Sequence, residues 1–211
     1  MRAVAYQIPQ ALTSASALVD VDLPVPVATG HDLLVEVRAV SVNPVDTKIR
    51  QSATPQDGEW KVLGWDAAGV VIDVGDDVTG FRPGDEVYYA GAINRPGTNA
   101  QFHLVDERIV GHKPKTLDFS AAAALPLTAI TAWEMLFDRL TVARPVPGAA
   151  NAIVIIGGAG GVGSIAIQII RELTDLTVIA TASRPQTQAW VRELGAHHVI
   201  DHSAPIAPQV A

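Results

Sequence analysis

The stretch that decides the fold runs from Asn151 to Gly163 and reads NAIVIIGGAGGVG. Its first part, Ala152 to Ile156, is a short apolar run rich in β-branched residues, which is typical of a buried strand. Gly158, Gly160 and Gly163 then fit the spacing G-x-G-x-x-G. The isoleucines that follow lie among polar residues with the spacing of a helix that buries one side. The sequence therefore predicts a strand, a tight turn and a helix.

This glycine spacing indicates a dinucleotide site. In such turns one glycine permits the turn, one lets a pyrophosphate approach the backbone, and one lets the helix pack close to the strand. The N–H groups at the start of the helix, where the dipole is positive, then face the phosphate. A glycine-rich turn also arises for purely structural reasons, but here a second apolar run follows within the length of a βαβ unit. The candidate cofactor-binding residues are Gly158, Gly160, Gly161, Val162 and Gly163.

The end of the second apolar run, Leu176 to Ala182, indicates which dinucleotide binds. An NAD site usually has Asp or Glu there to accept from the ribose 2′-OH. This chain has Ser183 and Arg184 instead. A serine can donate a hydrogen bond and an arginine can pair with a 2′-phosphate, so we favour NADP(H) over NAD. The alternative is that Ser183 caps the next helix, with Pro185 in its first turn, and that Arg184 is only solvated.

Composition limits the classes of protein. The chain has 211 residues, of which 48% are hydrophobic and 18% charged, so it is globular with one large or two small domains. A net charge of −7 argues against a nucleic-acid partner or an anionic membrane. The absence of cysteine excludes disulfides and thiolate metal sites. With no apolar run of about 20 residues and no signal core, a cytoplasmic protein is expected.

The first 120 residues are rich in strand and turn signals. Val70 to Val74 and Glu86 to Tyr89 resemble short strands between turns, which suggests a small β-barrel or sandwich. Asn43 to Asp46 resembles a helix start, with Asn as N-cap, Pro at the first position and a carboxylate at the third. Composition changes near residue 120, where Asp118 or Ser120 can cap an alanine-rich segment that Pro126 should break. We place the domain boundary there.

Three motifs outside the glycine turn identify a family resemblance. They are GWDAAG at 64–69, VGDDVTGFRPGDEV at 74–87 and LPLTAITAWE at 125–134. With the glycine turn, they resemble the medium-chain dehydrogenase/reductase superfamily, and most closely its zinc-independent quinone oxidoreductase branch, whose members are often labelled zinc-type alcohol dehydrogenases. The resemblance implies an α/β fold: a GroES-like β-rich catalytic domain at 1–120, then a partial Rossmann NADP-binding domain at 121–211.

The resemblance also bears on metal binding. In zinc alcohol dehydrogenases a catalytic Cys lies near the position of Asn43, and a His follows the glycine matched by Gly64, where this chain has Trp65. Zinc needs about four N, S or O ligands, and the chain lacks the family's set. We therefore expect no metal. The histidine cluster at His197, His198 and His202 flanks a predicted strand, so a metal role for it is not expected either.

The resemblance implies further site residues. It places the nicotinamide carboxamide near Asn43 and Thr131, with the substrate bounded by Trp65 and Asp46, and it offers Lys48 as a donor. Each has a structural alternative. Asn43 and Asp46 would cap a helix, Thr131 would bond to the preceding turn, and Trp65 would belong to the core.

Three functions are compatible with these residues and motifs. The first is hydride transfer from NADPH to a quinone or an activated enone, an NADPH:quinone oxidoreductase-like activity. Such substrates delocalise the developing negative charge themselves, so no metal is needed. The second is a protein that binds NADPH without turnover. The third, which we rank last, is a zinc-dependent alcohol dehydrogenase.

The length of the chain raises a further expectation. The nucleotide domain has room for three strands before Ala211, whereas the doubly wound fold uses six. We therefore expect a truncated chain with an exposed strand edge beside Ile153 to Ile156, which is a pairing liability. The prediction is a homo-oligomer that covers this edge, or poor catalytic competence.

Overall fold

The computed structural model describes residues 1–11 and 13–210, so Ala211, the last residue of the predicted second domain, lies outside the described residues. The chain divides into two compact units, Met1–Leu127 and Thr128–Ala211. The first consists mainly of antiparallel strands, and the second alternates strands with helices. Each unit is described by itself.

The first unit contains two antiparallel sheets. A three-stranded sheet has the order β2-β1-β4, and a five-stranded sheet has the order β7-β3-β5-β6-β8. The strands are β1 Arg2–Tyr6, β2 Val19–Asp22, β3 Asp32–Ser41, β4 Lys61–Val62, β5 Asp66–Val74, β6 Glu86–Ala90, β7 Phe102–Asp106 and β8 Val110–His112.

Alternating side chains form the core of the five-stranded sheet. Leu33 and Val35 on β3 are fully buried, as are Val71 on β5 and Val87 on β6. Glu36, which follows Val35 on β3, is partly exposed because successive side chains of a strand point to opposite faces, although Leu34 on that other face is also buried. The strands predicted at 70–74 and 86–89 lie within β5 and β6, so both predictions are confirmed.

Short helices complete the first unit. They are α1 Pro44–Ser52, a 3₁₀ turn at Glu107–Ile109 and α2 Phe119–Ala123. Asp118 caps α2 by accepting from the Ala121 amide at 2.7 Å. Ala122 and Ala123 pack against Ala68 on β5, which joins α2 to the first unit. The boundary predicted at residue 120 falls inside this helix, whereas the first unit continues to Leu127.

The alanine-rich segment is interrupted where Pro126 predicts a break. After α2 ends at Ala123, α3 spans Pro126–Trp133, and the chain then widens into a π-helical turn at Glu134–Arg139. Proline lacks an amide hydrogen and suits the first turn of a helix, so it starts α3 rather than continuing α2.

The second unit is built on a parallel three-stranded sheet. Its strand order is β11-β10-β9, the 3-2-1 order of the first half of a doubly wound fold. Ile167 and Ile170 pack against Val178 and Val191 in its core. Within the described residues β9 pairs with β10 only, so its other side is an open edge. The elements are β9 Ala152–Ile155, α4 Gly161–Leu173, β10 Thr177–Thr181, α5 Pro185–Glu193, β11 His198–Ile200 and α6 Ala207–Val210.

The helices of residues 1–11 and 13–210 can be compared with the length and hydropathy that a membrane span requires. None of them is both long enough and apolar enough to cross a membrane.

Candidate functional site

The glycine turn lies at the carboxyl end of β9 and is held by the end of β10. The Gly157 amide donates to Thr181 Oγ1 at 2.9 Å, and the Gly158 amide donates to the Thr181 carbonyl at 3.1 Å. Gly157 has a φ of 68°, a left-handed conformation that glycine adopts without strain. The Gly160 amide donates back to the Gly157 carbonyl at 2.9 Å. These three amides therefore donate to acceptors within the protein, and their bonds fix the shape of the turn.

A second group of amides belongs to the first turn of α4. Gly161, Val162 and Gly163 open this helix of thirteen residues, and first-turn amides have no acceptor within their own helix. The N-cap residue, Gly160, has no side chain that could accept from them. Of the predicted cofactor-binding residues Gly158 to Gly163, those whose amides stay available for a phosphate are thus Gly161 to Gly163. The helix dipole adds positive potential at this end of α4.

Gly163 allows α4 to pack closely against the glycine turn. A Cβ atom placed on Gly163 would lie 2.4 Å from the Gly157 carbonyl oxygen and 2.8 Å from the Gly158 Cα atom. Only a residue without a side chain lets α4 approach the turn this closely. Beside the turn lies a cleft of about 510 Å³, bordered by Met135, Ile153, Gly157, Gly161 and Gly163. There is room beside the first turn of α4 for an elongated ligand.

The end of β10 presents an exposed arginine. The N-cap of α5 is Arg184, whose amide donates to Thr187 Oγ1 at 3.2 Å. The alternative in which Ser183 caps this helix is therefore wrong: with Pro185 at the first helical position, the cap falls one residue later. Ser183 is half-buried beside it, and the Arg184 side chain is exposed to solvent.

The end of β11 brings a histidine to the same edge of the sheet. His202 Nδ1 lies 3.2 Å from Thr181 Oγ1, the atom that also accepts from Gly157. His197 instead accepts from the Val178 amide at 2.8 Å, and His198 is exposed. In the described ranges no group of three or more His, Asp or Glu side chains could hold a metal ion. The predictions named neither Gly157 nor Thr181, because their contact joins residues far apart in sequence.

Asn43 and Asp46 are joined at the start of α1. The Asn43 amide donates to Asp46 Oδ2 at 2.7 Å, so Asp46 stabilises the helix start as its third residue was predicted to do. Both side chains are buried. The Asn43 side chain, however, makes no cap bond to the helix, and its Nδ2 donates to Asp66 Oδ2 at 2.8 Å.

Asp66 is a buried carboxylate that the sequence predictions did not name. It is 0% exposed and accepts from the Leu127 amide at 2.9 Å as well as from Asn43. Burial raises its pKa to about 6, although its hydrogen bonds oppose the shift, and the charge of Asp46 adds to it. A raised pKa means that this group favours the folded chain below pH 3.8, and that this contribution is lost as pH rises through about 6. The sequence does contain a signal for this residue, because Asp66 is the one carboxylate inside the otherwise mostly apolar run 65–72.

The remaining predicted residues lie in three different environments. Trp65 is 2% exposed, packs with Tyr6 and Leu63, and donates from Nε1 to the Ala92 carbonyl at 3.1 Å. Lys48 is an exposed residue of α1. Thr131 is an exposed residue of α3 in the second unit, the unit that also contains the glycine turn.

Comparison with known proteins identifies the family. Residues 29–115 match the alcohol dehydrogenase GroES-like domain. The zinc-type alcohol dehydrogenase-like protein of Staphylococcus aureus (strain COL) is 46% identical over 185 residues, which cover 87% of this chain and 55% of the relative. The chain belongs to the medium-chain dehydrogenase/reductase superfamily. Another member, the 2-methylene-furan-3-one reductase of Solanum lycopersicum, is 35% identical over 193 residues, which cover 85% of this chain and 47% of the reductase.

Solved structures of medium-chain dehydrogenases/reductases confirm the fold. A Rhizobium etli structure described as a zinc-dependent alcohol dehydrogenase has a TM-score of 0.97 and 70% identity, and the match covers 100% of this chain and 61% of that one. The quinone oxidoreductase of Coxiella burnetii has a TM-score of 0.83 and 29% identity, covering 100% and 65%. A mycobacterial protein solved with NADPH has a TM-score of 0.76 and 28% identity, covering 95% and 58%. The chain spans about half the length of the Staphylococcus aureus and Solanum lycopersicum relatives.

The residues of this chain fit a phosphorylated dinucleotide and do not fit zinc. The first-turn amides of α4 and the exposed Arg184 suit a phosphorylated dinucleotide. Where the resemblance to zinc alcohol dehydrogenases implies a histidine ligand, this chain has Trp65, whose indole is buried and bonded to Ala92, and near the implied position of the catalytic cysteine it has Asn43. The donor set at these positions does not fit zinc.

Proposed function

We propose that the chain is an NADPH-dependent oxidoreductase that reduces quinones or activated enones without zinc. The observation that carries the proposal is the first turn of α4, whose amides have no acceptor within their own helix and which borders a cleft, while the amides of Gly157, Gly158 and Gly160 are bonded to protein. Relatives support the substrate class: one is a quinone oxidoreductase, one a 2-methylene-furan-3-one reductase and one was solved with NADPH.

The chain would contribute mainly binding and positioning. The amides of Gly161, Val162 and Gly163 would hold the diphosphate, and Arg184 with Ser183 would bind the 2′-phosphate. NADPH, when bound, supplies a hydride to a carbon of the substrate, whose oxygen takes up the negative charge. Asn43 and Lys48 are the proposed donors near that oxygen, and Thr131 is the proposed contact of the nicotinamide carboxamide. A proton from water then completes the reduction, since no side chain of the chain is assigned as general acid.

The proposed substrate class and the residues present support zinc independence. Without a Lewis acid, an unactivated ketone would not be polarised, whereas quinones and enones delocalise the charge themselves. The bond from Trp65 Nε1 to Ala92 explains why the tryptophan belongs to the core rather than to a ligand set. A cytoplasmic location and self-association through the outer edge of β9 stay predictions.

A binding titration tests the proposal directly. Trp190 on α5 donates from Nε1 to Ser164 Oγ at 2.9 Å, in the first turn of α4, and is 43% exposed. We therefore expect NADPH to quench its emission in a saturable way, and Trp190→Phe to remove that signal while calorimetry still detects binding. Absence of NADPH binding by both methods would overturn the proposal.

Turnover separates the proposed reductase from a protein that only binds NADPH. We expect NADPH absorbance to fall with a quinone or an enone and not with an unactivated ketone, and chelators to have no effect. Binding without consumption of any quinone or enone in the panel would favour the binding protein. Chelator-sensitive oxidation of ethanol would instead favour a zinc-dependent alcohol dehydrogenase.

Arg184→Ala tests the preference for NADP(H). A guanidinium paired with a phosphate contributes a charge-assisted hydrogen bond, so the Kd for NADPH should rise about 10- to 100-fold. The Kd for NADH, which lacks the 2′-phosphate, should stay within about twofold. The matched control is Arg192→Ala, which removes an exposed arginine from the last turn of the same helix. An equal loss for both cofactors, or the same effect from Arg192→Ala, would contradict the assignment.

A further inference from the structure

Asn43 lies between two carboxylates that use different parts of it. Its backbone amide donates to Asp46 Oδ2 at 2.7 Å, and its side-chain Nδ2 donates to Asp66 Oδ2 at 2.8 Å. The other oxygen of Asp66 accepts from the Leu127 amide at 2.9 Å. Both oxygens of Asp66 therefore receive a hydrogen, as suits an ionised carboxylate, which can only accept.

In this arrangement the Asn43 side chain does not act as the N-cap that its sequence position predicts. An asparagine N-cap normally turns its side-chain oxygen back to the first amides of the helix. Here the cap bond is absent and the amide nitrogen is turned to a residue 23 positions along the chain. The helix start is stabilised by Asp46 Oδ2 and by the bond from the Asp46 amide to the Asn43 carbonyl at 3.0 Å, so Nδ2 of Asn43 is left to bond to Asp66.

We propose that Asp66 is a positioning residue that sets the hydrogen-bond polarity of Asn43. With Nδ2 directed to Asp66, the Oδ1 atom of Asn43 is turned away and offers an acceptor. A ligand group that donates, such as a primary carboxamide, is then preferred at Asn43 over one that offers only a carbonyl. This ligand preference rests on the proposed function, whereas the link between Asp66 and Asn43 does not.

A neutral side chain at position 66 would reverse the polarity. The amide of Leu127 still requires an acceptor, so an asparagine there would use its oxygen for Leu127 and direct its NH₂ group toward Asn43. Two NH₂ groups cannot bond to each other, so the Asn43 amide would turn over and present Nδ2 outward. Protonated Asp66 would act in the same way, with its O–H as the donor.

The charges around Asp66 decide when this happens. On α1, Asp46 is the charged group that acts on it, and it favours the protonated form. The strand neighbours of Asp66 are uncharged: Ser41 on β3 and Ala90 on β6. Burial raises the Asp66 pKa to about 6, so the carboxylate is ionised at neutral pH and protonated in mild acid.

Solution NMR tests the link without any ligand. In the wild-type chain, we expect the Asn43 side-chain NH₂ signals and the Leu127 amide signal to shift together, with one midpoint near pH 6. Asp66→Asn should abolish this transition. Asp46→Asn, the matched control, should keep it and move the midpoint lower, because one neighbouring negative charge is gone. Signals that do not titrate together in the wild type, or a transition that persists in Asp66→Asn, would overturn the inference.

Affinity tests the ligand preference. The probes are NADPH and its analogue in which an acetyl group replaces the carboxamide and thus removes the N–H donor. The wild type should favour NADPH by about 5- to 10-fold, and Asp66→Asn should bring the ratio to about one or invert it. Equal affinity of the wild type for both probes would overturn the preference. If neither probe binds, the proposed function fails while the NMR result still decides the link.

Discussion

Gly163→Ala is expected to abolish NADPH binding and to destabilise the second unit by about 2–3 kcal/mol. The added methyl group would lie 2.4 Å from the Gly157 carbonyl oxygen, 2.8 Å from the Gly158 Cα atom and 2.9 Å from the Gly158 carbonyl carbon. All three are backbone atoms, which cannot move aside as a side chain can. The helix must therefore separate from the turn, and the amides in the first turn of α4 lose their fixed spacing.

Gly161→Ala is the matched control for this substitution. It lies two residues earlier in the same first turn, and its added methyl group would meet only the Thr128 Cγ2 atom, at 3.1 Å. A side-chain methyl can shift, and alanine favours helix, so stability should stay within about 1 kcal/mol. Urea unfolding followed by circular dichroism and NADPH calorimetry give the two readouts. If the two variants behave alike, close packing at Gly163 does not maintain the site.

Trp65→Ala is expected to destabilise the first unit by about 3–5 kcal/mol. The indole is 2% exposed, packs with Tyr6 and Leu63, and donates to Ala92 at 3.1 Å, so its removal leaves both a cavity and an unpaired carbonyl. Trp65→Phe keeps most of the packing and loses the hydrogen bond, and we expect it to cost about 1–2 kcal/mol.

The Trp65 series separates the two roles that the sequence left open. A core residue changes the free energy of unfolding in proportion to the volume removed, as urea unfolding followed by circular dichroism would show. A residue that bounds the substrate would instead change KM while the stability of Trp65→Phe stays at the wild-type value. The second pattern would contradict the core assignment.

Local features of the fold were predictable because each depends on neighbouring residues. The strands at Val70–Val74 and Glu86–Tyr89 follow from short runs between turns, the break before α3 from Pro126, and the cap of α2 from Asp118. The spacing of the glycines located the turn. It did not show that Gly157 takes the left-handed conformation, because that depends on bonds to Thr181 at the end of another strand.

Features that depend on distant contacts were not predictable in this way. The sequence identifies Asn43 as an N-cap, yet its side chain bonds to Asp66 on β5. The first unit extends past residue 120 because α2 packs on Ala68, a contact between residues far apart in the chain. The cap of α5 is Arg184 and not Ser183, because Pro185 is the first helical residue. The interpretation that Ser183 is the cap placed it one residue too early.

The open side of β9 has a consequence for the motion of the turn. A strand paired on one side only opens more readily than a central strand, since fewer ladder bonds must break. The loop that begins at its end is therefore held mainly by Thr181, at the end of the neighbouring strand β10, and by the contact with α4. The position proposed for the phosphate is thus held rigid by Thr181 and by the close packing that Gly163 allows, although β9 is paired on one side only.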